Sequence, residues 1–272
     1  MGQLEIVPLD FKSRSTTEAA DTSVHLQSSQ GEYNFSFEVL KPGLFRTTFT
    51  SPQHLLPPHR AAQLPSRNLQ HARVQRESFT ATTKAFQVDN LTVSVDWTTG
   101  PPLISLGFAG QEAPIHSDLP HRAYVADGSG IAHYTRYNKG TLHVGLGEKA
   151  APMDLSGRHF VLSATDSFGY DVYRTDPLYK HIPLLINATP QGCVGIFSSS
   201  HARGFYSIGS EMDGMWGRFK VYRQEHGGLE EYIILGTTIP EVVRIYADLV
   251  GHPLLVPRWA FGYIGKSTFG LY

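Results

Sequence analysis

The chain has 272 residues, of which 41% are hydrophobic and 17% charged, so it can build a sizeable core and is not globally disordered. Its formal net charge is −1 and it carries no long run of like charges, which argues against nucleic acid or an anionic membrane surface as a partner. No window is apolar over about eighteen residues, so no transmembrane span is predicted.

Neither the N-terminus nor the cysteine content indicates secretion. The opening MGQLEIVPLDFKSRS lacks the apolar core of a signal peptide, and the single cysteine, Cys193, cannot form an intrachain disulfide. A cytoplasmic protein is therefore predicted, with Cys193 as a buried strand residue. The thirteen histidines show no tight metal-ligand spacing, so neither a metal nor a cofactor is expected.

Short β-strands dominate the pattern along the chain. The segment FSFEVLKPGLFRTTF predicts a hairpin that turns at residues 41–43. The stretch SFTATTKAFQVDNLTVSVDWTTGPPLISL predicts strands with turns at 88–90 and 98–102, and GTLHVGLG, HIPLLINATPQGCVGIFSSS and LEEYIILG continue the pattern. Strands at this spacing, punctuated by Gly, Pro and Asn, predict a mainly β fold, a large antiparallel β-sandwich.

Three stretches depart from this pattern. Residues 51–75 contain four prolines and are expected to form a long surface excursion, either mobile or lying across a neighbouring surface. The sequence TTIPEVVRIYADLVG predicts a helix with Pro240 and Glu241 in its first turn, with one face formed by Val242, Val243, Tyr246 and Leu249, and with Gly251 at its end. After it, WAFGYI is typical of a buried strand and GKSTFGLY of the loop that follows it.

Five motifs then resemble one enzyme family in a single order. They are GLGEK (145–149), DLSGR (154–158), YRTDPLYKHIP (173–183), GLEEYIILGTTIPEVVRIYADLVGHP (228–253) and LLVPRWAFGYIGKSTFGLY (254–272). Through these motifs the chain resembles glycoside hydrolase family 31, the α-glucosidases and α-xylosidases, over roughly residues 35–272.

The resemblance implies a sandwich of the galactose-mutarotase type, followed by the truncated start of a (β/α)8 barrel. The implied division is a sandwich domain at 1–236, a linking helix at 237–251, and the first barrel strand and its loop at 252–272. Retaining glycosidases use two carboxyl groups about 5 Å apart, which the family carries on later barrel strands. No such segment occurs in the sequence, so no catalytic residue is assigned and the chain alone is predicted to be inactive.

The resemblance also implies three substrate contacts. By position, Asp176 is the carboxylate that contacts sugar hydroxyls from a loop over the barrel mouth, and Arg174 either orients it or extends into solvent. Phe269 matches the aromatic residue that lines the primary sugar subsite. The alternatives are a turn-forming role for Asp176 and a tail position for Phe269. Glu148 is expected to be structural, paired with backbone or with a basic neighbour.

Three hypotheses about function remain open. The chain is the N-terminal part of a retaining α-glycosidase, and its partners are an α-linked oligosaccharide or glycoside and a catalytic barrel supplied in cis or in trans. Alternatively, it is a non-catalytic module that binds carbohydrate or pairs with a separate barrel chain. The third hypothesis is a remnant without function. The sequence indicates neither the sugar nor the oligomeric state.

Overall fold

A computed structural model describes residues 4–6, 10–13, 22–58 and 68–262, and it is built almost entirely of strands. The helical elements are the α-helix α1, Ile239–Val250, and a 3-10 helix, Arg258–Phe261. The strands in chain order are β1 Leu4–Ile6, β2 Phe11–Ser13, β3 Ser23–Ser28, β4 Asn34–Lys41, β5 Leu44–Thr50, β6 Val74–Phe79, β7 Thr83–Val88, β8 Leu91–Asp96, β9 Leu103–Phe108, β10 His116–Ser117, β11 Tyr124–Asp127, β12 Gly130–Arg136, β13 Leu142–Gly147, β14 Arg158–Leu162, β15 His181–Thr189, β16 Gly192–Ser198, β17 Gly204–Asp213, β18 Gly217–Gln224 and β19 Leu229–Gly236.

The strands form three antiparallel sheets. An eight-stranded sheet has the order β13-β15-β16-β19-β5-β4-β3-β2, and a six-stranded sheet has the order β1-β11-β12-β18-β17-β14. A five-stranded sheet follows the order β10-β9-β8-β7-β6. The predicted mainly β, antiparallel sandwich is therefore confirmed.

One apolar core joins all three sheets. It contains Phe35 and Phe37 from the eight-stranded sheet, Tyr124 from the six-stranded sheet, and Phe86 and Ile104 from the five-stranded sheet, and none of these is more than 2% exposed. Alternation of buried and half-exposed residues along β4 and β8 shows why the core lies on one face of each strand. Within this core, aromatic rings from two sheets stack face to face across the sandwich.

The predicted turns are present. β4 and β5 are joined at 42–43, β7 and β8 at 89–90, and β8 and β9 at 97–102. Asp89 has a φ of 55°, the left-handed geometry that a two-residue hairpin turn requires. Cys193 is a buried residue of β16, as predicted.

The predicted helix is present, with one error in its buried face. Thr238 is the N-cap and its side chain accepts from the Glu241 amide, while Gly251 ends the helix with a φ of 102°. The buried positions are Val242, Ile245 and Leu249, which pack against the outer face of the eight-stranded sheet. Val243 was predicted on this face but is 44% exposed, because it lies about 100° around the helix from Val242.

The excursion after β5 is fixed to the sandwich at its start. The described residues 51–58 and 68–73 contain no strand or helix, and β6 begins at Val74. His54 is 2% exposed, and its ring contacts the Ser51 hydroxyl at 2.7 Å and the Gly128 carbonyl at 3.0 Å. This first part therefore lies across a neighbouring surface, the second of the two expectations.

The segment after α1 differs from the predicted buried strand. Residues 258–261 form the 3-10 helix, and Trp259 and Phe261 are 73% and 76% exposed. A strand needs a neighbour to pair its backbone, and none of the described strands lies beside this segment. The beginning of a barrel is therefore not seen in the described residues, and Phe269 lies outside them.

Candidate functional site

The GLGEK motif forms the end of β13, and its glycines set the path of the chain there. Gly145 and Gly147 have φ values of 119° and 79°, and the register against β15 shifts between them. A Cβ on Gly145 would lie 2.2 Å from the Leu184 carbonyl oxygen, so no side chain fits there. Beyond this bulge, Glu148 accepts a hydrogen bond from the Lys180 amide at 3.1 Å, the structural role predicted for it.

Lys149, the last residue of the motif, forms an ion pair with Asp176. The Lys149 ammonium lies 2.8 Å from the Asp176 carboxylate and 2.7 Å from the Val161 carbonyl oxygen. The second carboxylate oxygen of Asp176 accepts from the Val161 amide at 2.5 Å. The Lys149 side chain is only 3% exposed and that of Asp176 is 19% exposed. Because both groups are largely desolvated, removing one leaves the other poorly compensated.

This ion pair fixes one end of the loop between β14 and β15, residues 163–180. Near the base, the Thr165 amide donates to the Leu178 carbonyl oxygen at 3.0 Å, and the Ser167 hydroxyl donates to the Pro177 carbonyl oxygen at 2.9 Å. At the tip, the Asp171 carboxylate accepts from a backbone amide in an Asx-type turn. The loop carries four aromatic side chains that are between 43% and 99% exposed: Phe168, Tyr170, Tyr173 and Tyr179.

The loop brings together two of the three predicted contacts, in different environments. Asp176 lies at the base with each carboxylate oxygen engaged by a protein group. Arg174 is exposed, and among the described residues it is Lys149, not Arg174, that forms the ion pair with Asp176. Arg174 therefore does not orient the Asp176 carboxylate, whereas Phe269 lies outside the described residues.

Asp166 is another carboxylate of the loop, and sequence reasoning missed it. It is exposed and lies close to the Tyr179 side chain. Partial desolvation, followed by the charge of Asp166, raises the pKa of the Tyr179 hydroxyl. A signal was available, because the Thr175–Asp176 pair has a counterpart ten residues earlier at Thr165–Asp166.

A buried histidine between two carboxylates resembles a catalytic triad, but its side chains are almost completely withdrawn from solvent. The His133 ring contacts Glu231 at 2.6 Å and Asp118 at 3.0 Å, and the Ser198 hydroxyl donates to Glu231 at 2.8 Å. Burial alone would lower the pKa of His133, but the two carboxylates raise it to about 10. All four side chains are at most 2% exposed. The network therefore cross-links the six-stranded and eight-stranded sheets and cannot receive a substrate.

The described residues hold no cluster of three or more His, Cys, Asp or Glu side chains that could bind a metal ion. In this part of the chain, no helix is long and apolar enough to cross a membrane.

The sheets, the core and the β13 bulge define a sandwich of the galactose-mutarotase class. Residues 34–206 match the profile of the glycosyl hydrolase 31 N-terminal galactose mutarotase-like domain, and the chain belongs to this family. A dextranase of family 31 from Flavobacterium johnsoniae superposes with a TM-score of 0.77 at 19% identity, over 93% of this chain and 30% of the dextranase.

Similar sequences include known α-glucosidases. The α-glucosidase of Saccharolobus solfataricus is 34% identical over 122 residues, which is 44% of this chain and 17% of that enzyme. Human neutral α-glucosidase AB is 30% identical over 123 residues, 39% of this chain and 13% of the enzyme. The aligned part of the chain thus spans less than a fifth of the length of these relatives.

Proposed function

We propose that the chain is the N-terminal, substrate-side part of a retaining α-glycosidase that acts on α-linked glucosides or xylosides. The observation that carries this proposal is the loop 163–180, whose base is fixed by Lys149 and Asp176 and whose exposed surface combines aromatic rings with carboxylates. The two catalytic carboxyl groups of a retaining mechanism are supplied by a barrel domain, in cis or in trans. Two findings support this assignment of substrate contact and catalysis to separate domains: the family membership of the chain, and the small fraction of each relative's length with which it aligns.

The loop is suited to sugars for two chemical reasons. A carboxylate accepts strong hydrogen bonds from neighbouring hydroxyl groups, and an aromatic ring packs on the apolar face of a pyranose. We assign to Asp166 the role of presenting a carboxylate to the sugar, because it is exposed. Asp176 remains a proposed sugar contact, through the carboxylate lone pairs that are not used by Lys149 and Val161. Arg174, which is exposed, is proposed to contact the same sugar. The proposed role of Phe269 is unchanged.

A loop graft tests this proposal. In the S. solfataricus α-glucosidase, the corresponding loop is replaced by residues 163–180 together with the lysine that pairs with Asp176, and kcat and KM are measured with an α-linked disaccharide. We expect turnover to persist. Asp166→Asn in the graft is expected to raise KM about tenfold with little change in kcat or thermal stability, because a charge-assisted hydrogen bond contributes roughly 1.5–3 kcal/mol.

The Asp176→Asn variant distinguishes a sugar contact by Asp176 from a purely structural role in holding the loop. If Asp176 only holds the loop, its substitution lowers thermal stability and the Lys149 variant reproduces its effect on KM. If Asp176 also contacts sugar, its substitution raises KM beyond the Lys149 variant. The isolated 272-residue chain is the blank and is expected to show no turnover of aryl α-glucosides. A graft in which neither aspartate affects KM contradicts the proposal, as does turnover by the isolated chain that Asp176→Ala abolishes.

A further inference from the structure

A groove on the far side of the five-stranded sheet from the core carries a row of aligned serines. Ser94 of β8 pairs with Ser105 of β9, and Ser105 pairs with Ser117 of β10. These three residues, here called the serine row, point away from the core because their neighbours along each strand are buried. Adjacent strands lie about 4.8 Å apart, so the row spans ~10 Å, about the length of a disaccharide.

The serine row lies in a concave site rather than on an open sheet face. The cavity above it has a volume of about 490 Å³, within the range of small-molecule sites. Its walls include Asp96, Arg136 and Asn138, and Leu103 and Pro120 add apolar surface. The nearly buried Asp118, which is a neighbour of His133, also lines it. Two further cavities adjoin it and share Ala113 and Pro114 with it, so the depression continues along the segment 111–115.

The polar groups of this groove are largely uncommitted. Within the described part of the chain, the three serine hydroxyls and the Asn138 amide have no side-chain hydrogen-bond partner. Asp96 uses one oxygen to accept from the Thr98 amide at 2.8 Å. The Arg136 guanidinium carbon lies 5.4 Å from the centroid of the Trp216 ring. This stacking orients the guanidinium and leaves its N–H donors available to a ligand. This contrasts with Asp176, whose two oxygens are both engaged.

The mixture of groups selects the chemistry of the ligand. An anion is disfavoured, because the connected cavities are lined by four carboxylates, Asp96, Asp118, Glu77 and Glu112, against Arg136 and Lys139. A metal ion is disfavoured because no cluster of three ligating side chains occurs among the described residues. Hydroxyls that both donate and accept, one accessible carboxylate, one guanidinium and small apolar surfaces together match a neutral polyol with apolar CH faces, which is a sugar.

We propose that this serine groove is a second carbohydrate site, separate from the loop 163–180, which binds a neutral α-linked gluco-oligosaccharide. The restriction to α-linked glucose units rests on the proposed function, whereas the preference for a neutral sugar rests on the groove itself. The groove holds the oligosaccharide along the serine row, with Asp96 and Arg136 as its two charged contacts. It contributes substrate retention and no chemistry.

Nuclear magnetic resonance titration of the ¹⁵N-labelled full chain tests the proposal. The ligands are maltotriose and isomaltotriose, with cellotriose as the β-linked comparison and sulfate as the anion. We expect saturable shifts of the serine-row amides with at least one α-linked trisaccharide. Ser105→Leu fills the centre of the groove and is expected to weaken binding at least about tenfold. Ser29→Leu is the matched control, since Ser29 is exposed in a turn of the eight-stranded sheet.

Arg136→Gln provides a second variant, because Arg136 is exposed and its loss leaves the core intact. It is expected to weaken binding several-fold. The proposal is overturned if no α-linked trisaccharide shifts the serine row, if cellotriose or sulfate binds there equally well, or if neither variant weakens binding. The loop graft reports on a different enzyme and a different segment. If the graft behaves as expected but no trisaccharide binds in the groove, only the groove proposal is rejected. If a trisaccharide binds in the groove but the graft does not behave as expected, only the loop proposal is rejected.

Discussion

The pKa values of two buried bases are shifted in opposite directions, although burial lowers both. The pKa of His133 is raised from 6.5 to about 10 because the Glu231 and Asp118 charges outweigh its desolvation. The pKa of Lys220 is lowered from 10.5 to about 7 by desolvation. Its side-chain nitrogen lies 3.1 Å from the side-chain amide oxygen of Asn187, which is uncharged. Between about pH 7 and pH 10, His133 is therefore protonated in the folded state and neutral in the unfolded chain. Lys220 is the reverse: it is neutral in the folded state and protonated in the unfolded chain.

These two linkages have opposite signs, so they partly cancel in the parent chain. Stability from His133 falls as pH rises through this window, and stability from Lys220 rises. Lys220→Met removes the rising contribution. We expect the free energy of unfolding of the variant, relative to the parent, to fall by several kcal/mol between pH 7 and pH 10, since one pKa unit corresponds to about 1.4 kcal/mol.

Urea denaturation across this pH range measures the difference. Lys180→Met is the matched control, because Lys180 is exposed and its profile should follow the parent. A difference between the Lys220 variant and the parent that is flat or rises with pH would show that Lys220 stays protonated in the fold.

At the same scale, Asp176 shows what a motif can and cannot predict. The motif located the loop and the carboxylate, because a Thr-Asp-Pro turn before an apolar strand is visible in the sequence. It did not reveal that Lys149, 27 residues away, pairs with that carboxylate, since this contact depends on how the segment after β13 packs against Val161 of β14. A short pattern also cannot choose between two Thr-Asp pairs, whereas exposure separates Asp166 from Asp176.

At the scale of the element, the bulge in β13 depends on glycine for two reasons. Gly145 combines a φ of 119° with a Cβ position 2.2 Å from a backbone oxygen, whereas Gly140 has a φ of 83° and nothing within 4 Å. We expect Gly140→Ala to cost about 1–2 kcal/mol of unfolding free energy, through backbone strain alone. Gly145→Ala is expected to cost more than about 4 kcal/mol, because the strand must also move away from β15.

Chemical denaturation of the two alanine variants measures this difference. Hydrogen exchange of β13 and β15 locates it, since lost pairing exposes their amides. Equal destabilisation by both variants would mean that the close approach of Gly145 to Leu184 relaxes at little cost.

Elements whose signals are local were predicted well. The hairpin turns follow from Gly, Pro, Asp and Asn chemistry, and α1 follows from its cap, its Pro240 and its terminal glycine. The two errors have different causes. Val243 does not fit the helical spacing of Val242, Ile245 and Leu249, whereas WAFGYI would form a strand only beside a neighbour that pairs with it.

At the scale of the whole molecule, the sandwich is closed by polar links as well as by its core, and residues 252–262, the described part of the segment after α1, contribute to neither. His133 and Glu231 join the six-stranded to the eight-stranded sheet. By contrast, Leu254, Leu255, Trp259 and Phe261 are between 73% and 98% exposed. Exposed apolar side chains that follow one another along a chain favour association with other surfaces.

Truncation after Gly251 tests whether this segment is dispensable for the sandwich. We expect the free energy of unfolding to change by less than about 0.5 kcal/mol, because the described part of the segment buries little surface. Solubility, measured as the protein concentration at the onset of light scattering, should rise, because the exposed apolar side chains are removed. Leu254→Ser with Leu255→Ser in the full chain is the control and should recover part of the gain. A truncated chain that is less soluble or less stable would instead show that residues 252–272 pack on the sandwich in solution.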